Sequence, residues 1–210
     1  MKRGKFIALE GGEGAGKSTQ AKLLVAALEG RGLTVDLTRE PGGTPGAEAI
    51  RELLLHPPGK GWGPEAEALL FAASRSDHVA QRIIPALERG EWVISDRFVD
   101  SSRAYQGGAG GLGDQTITAL HQIGSNAMRP DLTILIEVDA KRTAQRLAER
   151  DGDVSDAIGG RDAAYHRLVA QSFRYLAEND PEGFAIIDGS GSAQDVHSAI
   201  MAAIDARLGS

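Results

Sequence analysis

Phe6-Ile7-Ala8-Leu9-Glu10-Gly11-Gly12-Glu13-Gly14-Ala15-Gly16-Lys17-Ser18 decides the fold. Strand-like residues lead directly into Gly11 to Ser18, which fits G-x-x-x-x-G-K-[ST], and a helical run follows. The glycines let successive backbone N–H groups curl around a phosphate, and the start of the helix adds partial positive charge. Lys17 has the reach for the β and γ phosphates of ATP, and the Ser18 hydroxyl suits Mg²⁺. A merely glycine-rich turn requires neither the Lys-Ser pair at this spacing nor these flanks. The candidate ATP-binding set is therefore Gly11, Gly12, Glu13, Gly14, Ala15, Gly16, Lys17, Ser18 and Thr19.

Outward from this loop, short β-like runs alternate with helical ones. A helix is expected over Lys17 to Gly30, with Leu24, Val25 and Leu28 forming its buried stripe. Strands are expected at Leu33 to Leu37, Trp92 to Ser95, Leu132 to Val138 and Phe184 to Asp188. The nearly unbroken apolar run at Leu132 suits the middle of a parallel sheet. Helices are expected over Pro45 to Leu55, Glu65 to Leu87 (bent or ended near Pro85), Asp114 to Ser125, Ala140 to Arg150, Ala163 to Glu178 and Ala193 to Arg207. His56 to Pro64 holds three prolines and three glycines and reads as a loop. The expected fold is an α/β P-loop kinase fold, a five-stranded parallel sheet flanked by helices on both faces. It forms a single domain over residues 1–210, with a mobile lid near 150–161.

Bulk properties narrow the function. The 210 residues are 41% apolar and 25% charged, the profile of a soluble globular chain. A net charge of −6 argues against a duplex-DNA binder. The lack of cysteine removes disulfides, thiolate metal sites and cysteine nucleophiles. No apolar stretch approaches a signal peptide or a membrane span, so the chain reads as cytoplasmic. The five histidines, at 56, 78, 121, 166 and 197, show no metal-ligand spacing and read as structural or solvated.

A second signal is Asp96-Arg97 after Trp92-Val93-Ile94-Ser95, at the strand end where α/β folds bind ligands. Asp96 suits the water shell of Mg²⁺, shared with Ser18, and Arg97 suits a bridge between donor and acceptor phosphates. A surface ion pair is the bland alternative, and the neighbouring phosphate loop argues against it.

Three further segments carry information only together. They are Thr38-Arg39-Glu40-Pro41-Gly42-Gly43-Thr44, Phe71-Ala72-Ala73-Ser74-Arg75, and Ser101-Ser102-Arg103-Ala104-Tyr105-Gln106-Gly107-Gly108. Singly, each reads as a turn, a core phenylalanine or a surface loop. In this order they, with Arg129-Pro130-Asp131-Leu132-Thr133, resemble the bacterial thymidylate kinases, from Phe6 to about Leu176. The resemblance implies phosphoryl transfer from ATP to dTMP in dTTP supply, and commonly a homodimer. It implies Phe71 against the thymine ring, Arg75 at a base carbonyl, and Ser102 and Gln106 near the base edge. Arg39 and Arg97 would hold the acceptor phosphate, Glu13 would lie near the sugar and metal, and Tyr105 would lie under the 2′ position. These roles suit the chemistry of stacking, paired guanidinium bonds and steric exclusion.

In the family an arginine reaches the transferring group from the phosphate loop or from the lid. No variable loop position here is basic. Arg142, Arg146 and Arg150 recur at i, i+4 and i+8 on one expected helical face. The lid motif matches Arg150 as the catalytic arginine, with Arg146 near the nucleotide. The lid reads Asp156-Ala157-Ile158-Gly159-Gly160-Arg161-Asp162, which departs from the usual D-R-x-E order and makes Arg161 the reserve candidate. The catalytic set is thus Lys17, Arg97, Arg150 and Glu13. The rival readings are a kinase for another nucleotide, an ATP-dependent switch without an acceptor, and an inactive relative. The intact Gly16, Lys17, Ser18, Asp96 and Arg97 argue against the last.

Overall fold

A computed structural model describes residues 3–139 and 160–209. Five strands form one parallel sheet in the order β2-β3-β1-β4-β5: β1 Phe6–Glu10, β2 Val35–Arg39, β3 Trp92–Asp96, β4 Leu132–Glu137 and β5 Phe184–Asp188. The two-residue period of β1 sorts its side chains onto two faces. Ile7 and Leu9 join one apolar cluster with Leu24 and Leu28 of α1 (Lys17–Gly30) and Ile200 and Ile204 of α8 (Ala193–Leu208). Phe6 and Ala8 join another, with Val79, Ile83, Leu87 and Phe98. A third cluster seats α7 (Ala163–Asn179) over β4 and β5 through Val169, Phe173 and Leu176. Helices therefore cover both faces, as expected. No helix among the described residues is long and apolar enough to cross a membrane.

The register brings the site together. Leu9 pairs with Asp96, and Asp96 pairs with Arg39, so β2 and β3 end on one rung and β1 ends one residue beyond it. β2 begins two residues later than Leu33. Gly32 N–H bonds to Glu29 O and Leu33 N–H to Leu28 O, which close the carbonyls of α1 around a left-handed Gly32. Leu33 thus belongs to the helix closure, and the strand carries on to Arg39 instead of stopping at Leu37.

Two wide helical turns also depart from expectation. The chain runs from α2 (Pro45–Leu55) into α3 (Pro64–His78), a π turn (Val79–Ile83) and α4 (Ile84–Glu88). Ile84 N–H reaches back to Val79 O, so the ladder widens just before Pro85, which has no N–H to give. The helix absorbs the proline and ends only at Glu88. The Tyr105 segment, expected as a loop, is helical: α5 (Val99–Ser102) widens into a π turn over Arg103–Ala109, followed by α6 (Asp114–Ser125). Close packing explains its glycines. A Cβ on Gly108 would lie 2.0 Å from Ser172 Oγ of α7.

Candidate active site

One cleft of about 510 Å³ opens at the carboxyl edge of the sheet. The phosphate loop forms one wall. Gly11, at φ 137°, leaves β1 with its Cα against Ile136, whose carbonyl oxygen would stand 2.4 Å from any added Cβ. Lys17 is buried and turned onto its own loop, donating to Gly11 O at 3.0 Å and Gly12 O at 2.8 Å. Burial, and then the nearby Arg97, lower its pKa to about 8. Glu13, Gly14, Ala15, Gly16, Ser18 and Thr19 face the cleft beside it.

Ser18 Oγ donates to Asp96 Oδ2 at 2.8 Å, bringing together two hard oxygen donors from β3 and the start of α1. Among the described residues, no group of three or more acidic or histidine side chains stands ready for a metal. An ion held by this pair must fill its shell with water and phosphate, which is the habit of Mg²⁺.

Arg97 crosses between the two halves of the cleft. Its backbone is left-handed at φ 72°, an unusual conformation for a side-chain-bearing residue and one concentrated at functional sites. Nη1 donates to Gly11 O at 3.1 Å and Ser101 Oγ at 3.0 Å, and Nη2 to Glu13 Oε1 at 3.1 Å and Tyr105 OH at 3.3 Å. Burial opposes its charge, but Tyr105, Glu13, Glu10 and Asp96 outweigh this and raise its pKa. Behind it, buried Glu10 accepts from Phe98 N, Ser101 N and Ser101 Oγ.

The opposite wall comes from α3 and the π turn. Phe71 and Arg75 share a helical face and both line the cleft. Arg75 is buried, donating from Nε to Glu40 Oε2 at 2.7 Å and from Nη2 to Ser102 Oγ at 2.9 Å. Glu40 is gripped on its other oxygen by His78, which in turn meets Thr38. Tyr105 lies under the Arg97 guanidinium, 5.1 Å from ring centroid to Cζ, and Gln106 follows it. Burial raises the Tyr105 pKa and keeps the phenol neutral.

The glycine-rich loop and the wall carrying Phe71, Arg75 and Tyr105 therefore share one cleft. A sequence-family profile described as "Thymidylate kinase" matches residues 9–200. The thymidylate kinase of Rhizorhabdus wittichii is 54% identical over 201 residues, covering 96% of this chain and 97% of the relative. That of Rhodopseudomonas palustris strain TIE-1 is 47% identical over 208 residues (98% and 90%), and that of Bradyrhizobium sp. strain BTAi1 is 44% identical over 207 residues (98% and 92%). The chain belongs to the thymidylate kinase family.

Most of the residues that the motifs and the thymidylate kinase resemblance single out converge here: Glu13, Lys17, Ser18, Arg39, Phe71, Arg75, Asp96, Arg97, Ser102, Tyr105 and Gln106 all line the cleft. Gly11 and Gly12 serve it from behind, through carbonyls that hold Lys17. Arg39, expected at the acceptor phosphate, is exposed at the rim and paired with Glu48. Arg142, Arg146 and Arg150 lie outside the described residues. Arg161 is described, and its guanidinium is bonded to Glu67 and Tyr165. Several residues were not singled out from sequence. Glu40 and Arg51 line the cleft, while Glu10 and Glu67 hold residues that do. Glu40 stands inside the quoted T-R-E-P-G-G-T run, so an acid one residue past a strand was the signal available for it.

Proposed function

We infer that this chain transfers the γ-phosphoryl group of ATP to dTMP, giving dTDP and ADP. The observation that carries the reading is the single cleft in which Phe71, Arg75, Ser102, Tyr105 and Gln106 face the phosphate loop across Asp96 and Arg97. A nucleotide-dependent switch has no use for the second wall.

In this reading ATP lies along Gly11 to Thr19, and dTMP enters with its base against Phe71 and a ring carbonyl at Arg75. An oxygen of the dTMP phosphate attacks the γ phosphorus in line. The bond to the β–γ bridging oxygen breaks, and its electron pair leaves with ADP. The acceptor phosphate is already ionised near neutral pH, so no general base is required. Catalysis is then a matter of position and charge. Lys17 exchanges its loop carbonyls for phosphate oxygens, and burial makes that charge contact strong. Arg97 lies between the two phosphates and exchanges part of its present bonding for them. Tyr105, pinned by Arg97, leaves an added 2′-hydroxyl neither room nor partner. Mg²⁺ would be held by Ser18 and Asp96, partly through water, and would neutralise phosphate charge when bound. Arg150 is assigned the transferring group and Arg146 the nucleotide, on the family's lid motif.

The same reading includes a cytoplasmic homodimer built from single-domain subunits. Support for a dimer comes from Leu69 on α3 and Ile123 on α6, which stand exposed on two helices packed against each other. Sedimentation would test it. The reaction is tested by ADP formation with dTMP, dUMP, dCMP, dGMP and AMP. A preference for dTMP is expected. Preference for a purine acceptor, or ATP turnover indifferent to acceptor, would overturn the assignment.

A further inference from the structure

The acceptor wall contains a buried carboxylate that the mechanism above leaves unused. Glu67 lies in the first turn of α3, one turn before Phe71. Its Oε1 accepts from Gln106 Nε2 at 2.9 Å, and its Oε2 is ion-paired with Arg161. Arg161 also donates to the Tyr165 hydroxyl and lies over that ring, 4.6 Å from its centroid. Tyr165 then donates at 2.8 Å to the backbone carbonyl of Tyr105, the neighbour of Gln106.

This chain of bonds decides which way Gln106 faces. A carboxamide has a donating end and an accepting end, whereas an ionised carboxylate only accepts. With Glu67 tied to Arg161, only the amide NH₂ can face it. Rotated by half a turn, the amide oxygen would oppose a carboxylate oxygen in a buried contact, and one hydrogen bond would be lost. Gln106 lines the cleft, and with Nε2 committed to Glu67 its Oε1 remains as an acceptor for a ligand. Arg75, on the same helix as Glu67, commits Nε and Nη2 to Glu40 and Ser102 and keeps Nη1 as a donor. The pocket thus offers one fixed donor and one fixed acceptor. A pyrimidine imide presents the complement, a ring carbonyl beside the N3–H. Cytosine presents the reverse, an amino group beside an unprotonated N3.

We propose that Glu67, acting through Gln106, is a positioning residue that sets base specificity: it holds the carboxamide oxygen toward the base and so selects pyrimidines with N3–H over cytosine. The proposal rests on dTMP binding against Phe71.

The test compares kcat/KM for dTMP and dCMP in the unmodified enzyme, Glu67→Gln, Arg161→Lys and the swapped pair Glu67→Gln/Gln106→Glu. A glutamine at 67 both donates and accepts, so the amide is freed. The dTMP-to-dCMP ratio should fall roughly 10- to 100-fold, the value of one misdirected buried hydrogen bond. In the swapped pair the new amide donates to the new carboxylate, whose other oxygen again faces the base, and the ratio should recover. Arg161→Lys keeps a cation on Glu67 while giving up the bond to Tyr165, and should leave the ratio nearly native. An unchanged ratio in a folded Glu67→Gln overturns the proposal. So does an equal fall in Arg161→Lys with no recovery in the swapped pair, because the tie to Tyr165 would then be the cause. Should Glu67→Gln fail to fold, the swapped pair decides: a native-like ratio supports the proposal and a collapsed one overturns it. An unmodified enzyme with no preference for dTMP would instead refute the acceptor assignment itself.

Discussion

Replacing Glu10 with glutamine should raise stability relative to the native chain as the pH climbs from 5 to 7.5, and should slow the enzyme. The carboxylate is fully buried at the end of β1 and accepts from Phe98 N at 2.8 Å, Ser101 N at 3.0 Å and Ser101 Oγ at 2.6 Å. Burial, and then Asp100, push its pKa from 4.5 up to about 7, against the pull of Arg97 and these hydrogen bonds. Between those two values the folded state keeps a proton that the unfolded state has released. Stability from this group is therefore lost as pH rises through that window and stays low above it. From pH 5 to 7.5 the loss is about 2 kcal/mol by linkage. Glutamine does not titrate. The Tm of the variant relative to the native protein should thus rise by about 4–8 °C over that interval, at about 2–4 °C per kcal/mol for a chain of this size. Turnover moves the other way. Ser101 Oγ now donates to Glu10 while accepting from Arg97 Nη1 at 3.0 Å. An amide NH₂ in place of the carboxylate oxygen removes the acceptor for the Ser101 proton and loosens the hold on Arg97. Losing one charge-assisted bond of about 1.5–3 kcal/mol should lower kcat at least ~10-fold. Scanning calorimetry at both pH values and a coupled ADP assay at pH 7.5 test the two halves. A Tm difference that does not change with pH would refute the burial argument. Unchanged kcat would show that Arg97 does not depend on Ser101.

Lys17→Ala should reduce turnover by at least ~100-fold, as expected for a preorganised charge contact, while the circular-dichroism melt stays close to native. Because the Lys17 pKa is about 8 in the free protein, the ammonium is lost as pH rises past that value. ATP affinity should therefore be flat below pH 8 and fall above it, by up to about tenfold per pH unit, in a binding titration from pH 7 to 9.5. Tyr105→Ala should raise the use of ribo-TMP relative to dTMP. Since Tyr105 also packs on Phe173 and Tyr165, the variant should be less stable by about 3–5 kcal/mol, and Tyr105→Phe should keep the native ratio.

The parts legible in the sequence were those whose meaning is local. The phosphate loop follows its strand directly and is marked by its own motif, and Asp96-Arg97, at the end of another strand, drew its meaning from that loop. The carboxylates that hold the site have distant partners: Glu10 reaches Ser101, Glu40 reaches Arg75, and Glu67 reaches Gln106. No periodicity announces such pairs, and only the packing of helices on one another and on the sheet brings them together. The Tyr105 segment misled for a related reason. Glycines at 107 and 108 argue for a loop by propensity, yet the packing of α6 and α7 against them demands small residues within a helical turn. Leu33 carried an apolar signal that served the closure of α1 rather than the start of β2.

The rung that joins Leu9, Asp96 and Arg39 acts as a ruler for the chemistry. Adjacent strands lie about 4.8 Å apart, so the strand that launches the phosphate loop and the strand that ends in Arg39 are held roughly 10 Å apart by peptide hydrogen bonds alone. Lengthening or rebuilding the loops above leaves this span untouched. A single residue inserted in β3 has the opposite effect. It would turn Asp96 to the other face of the sheet and away from Ser18, and no adjustment of the loops would bring it back.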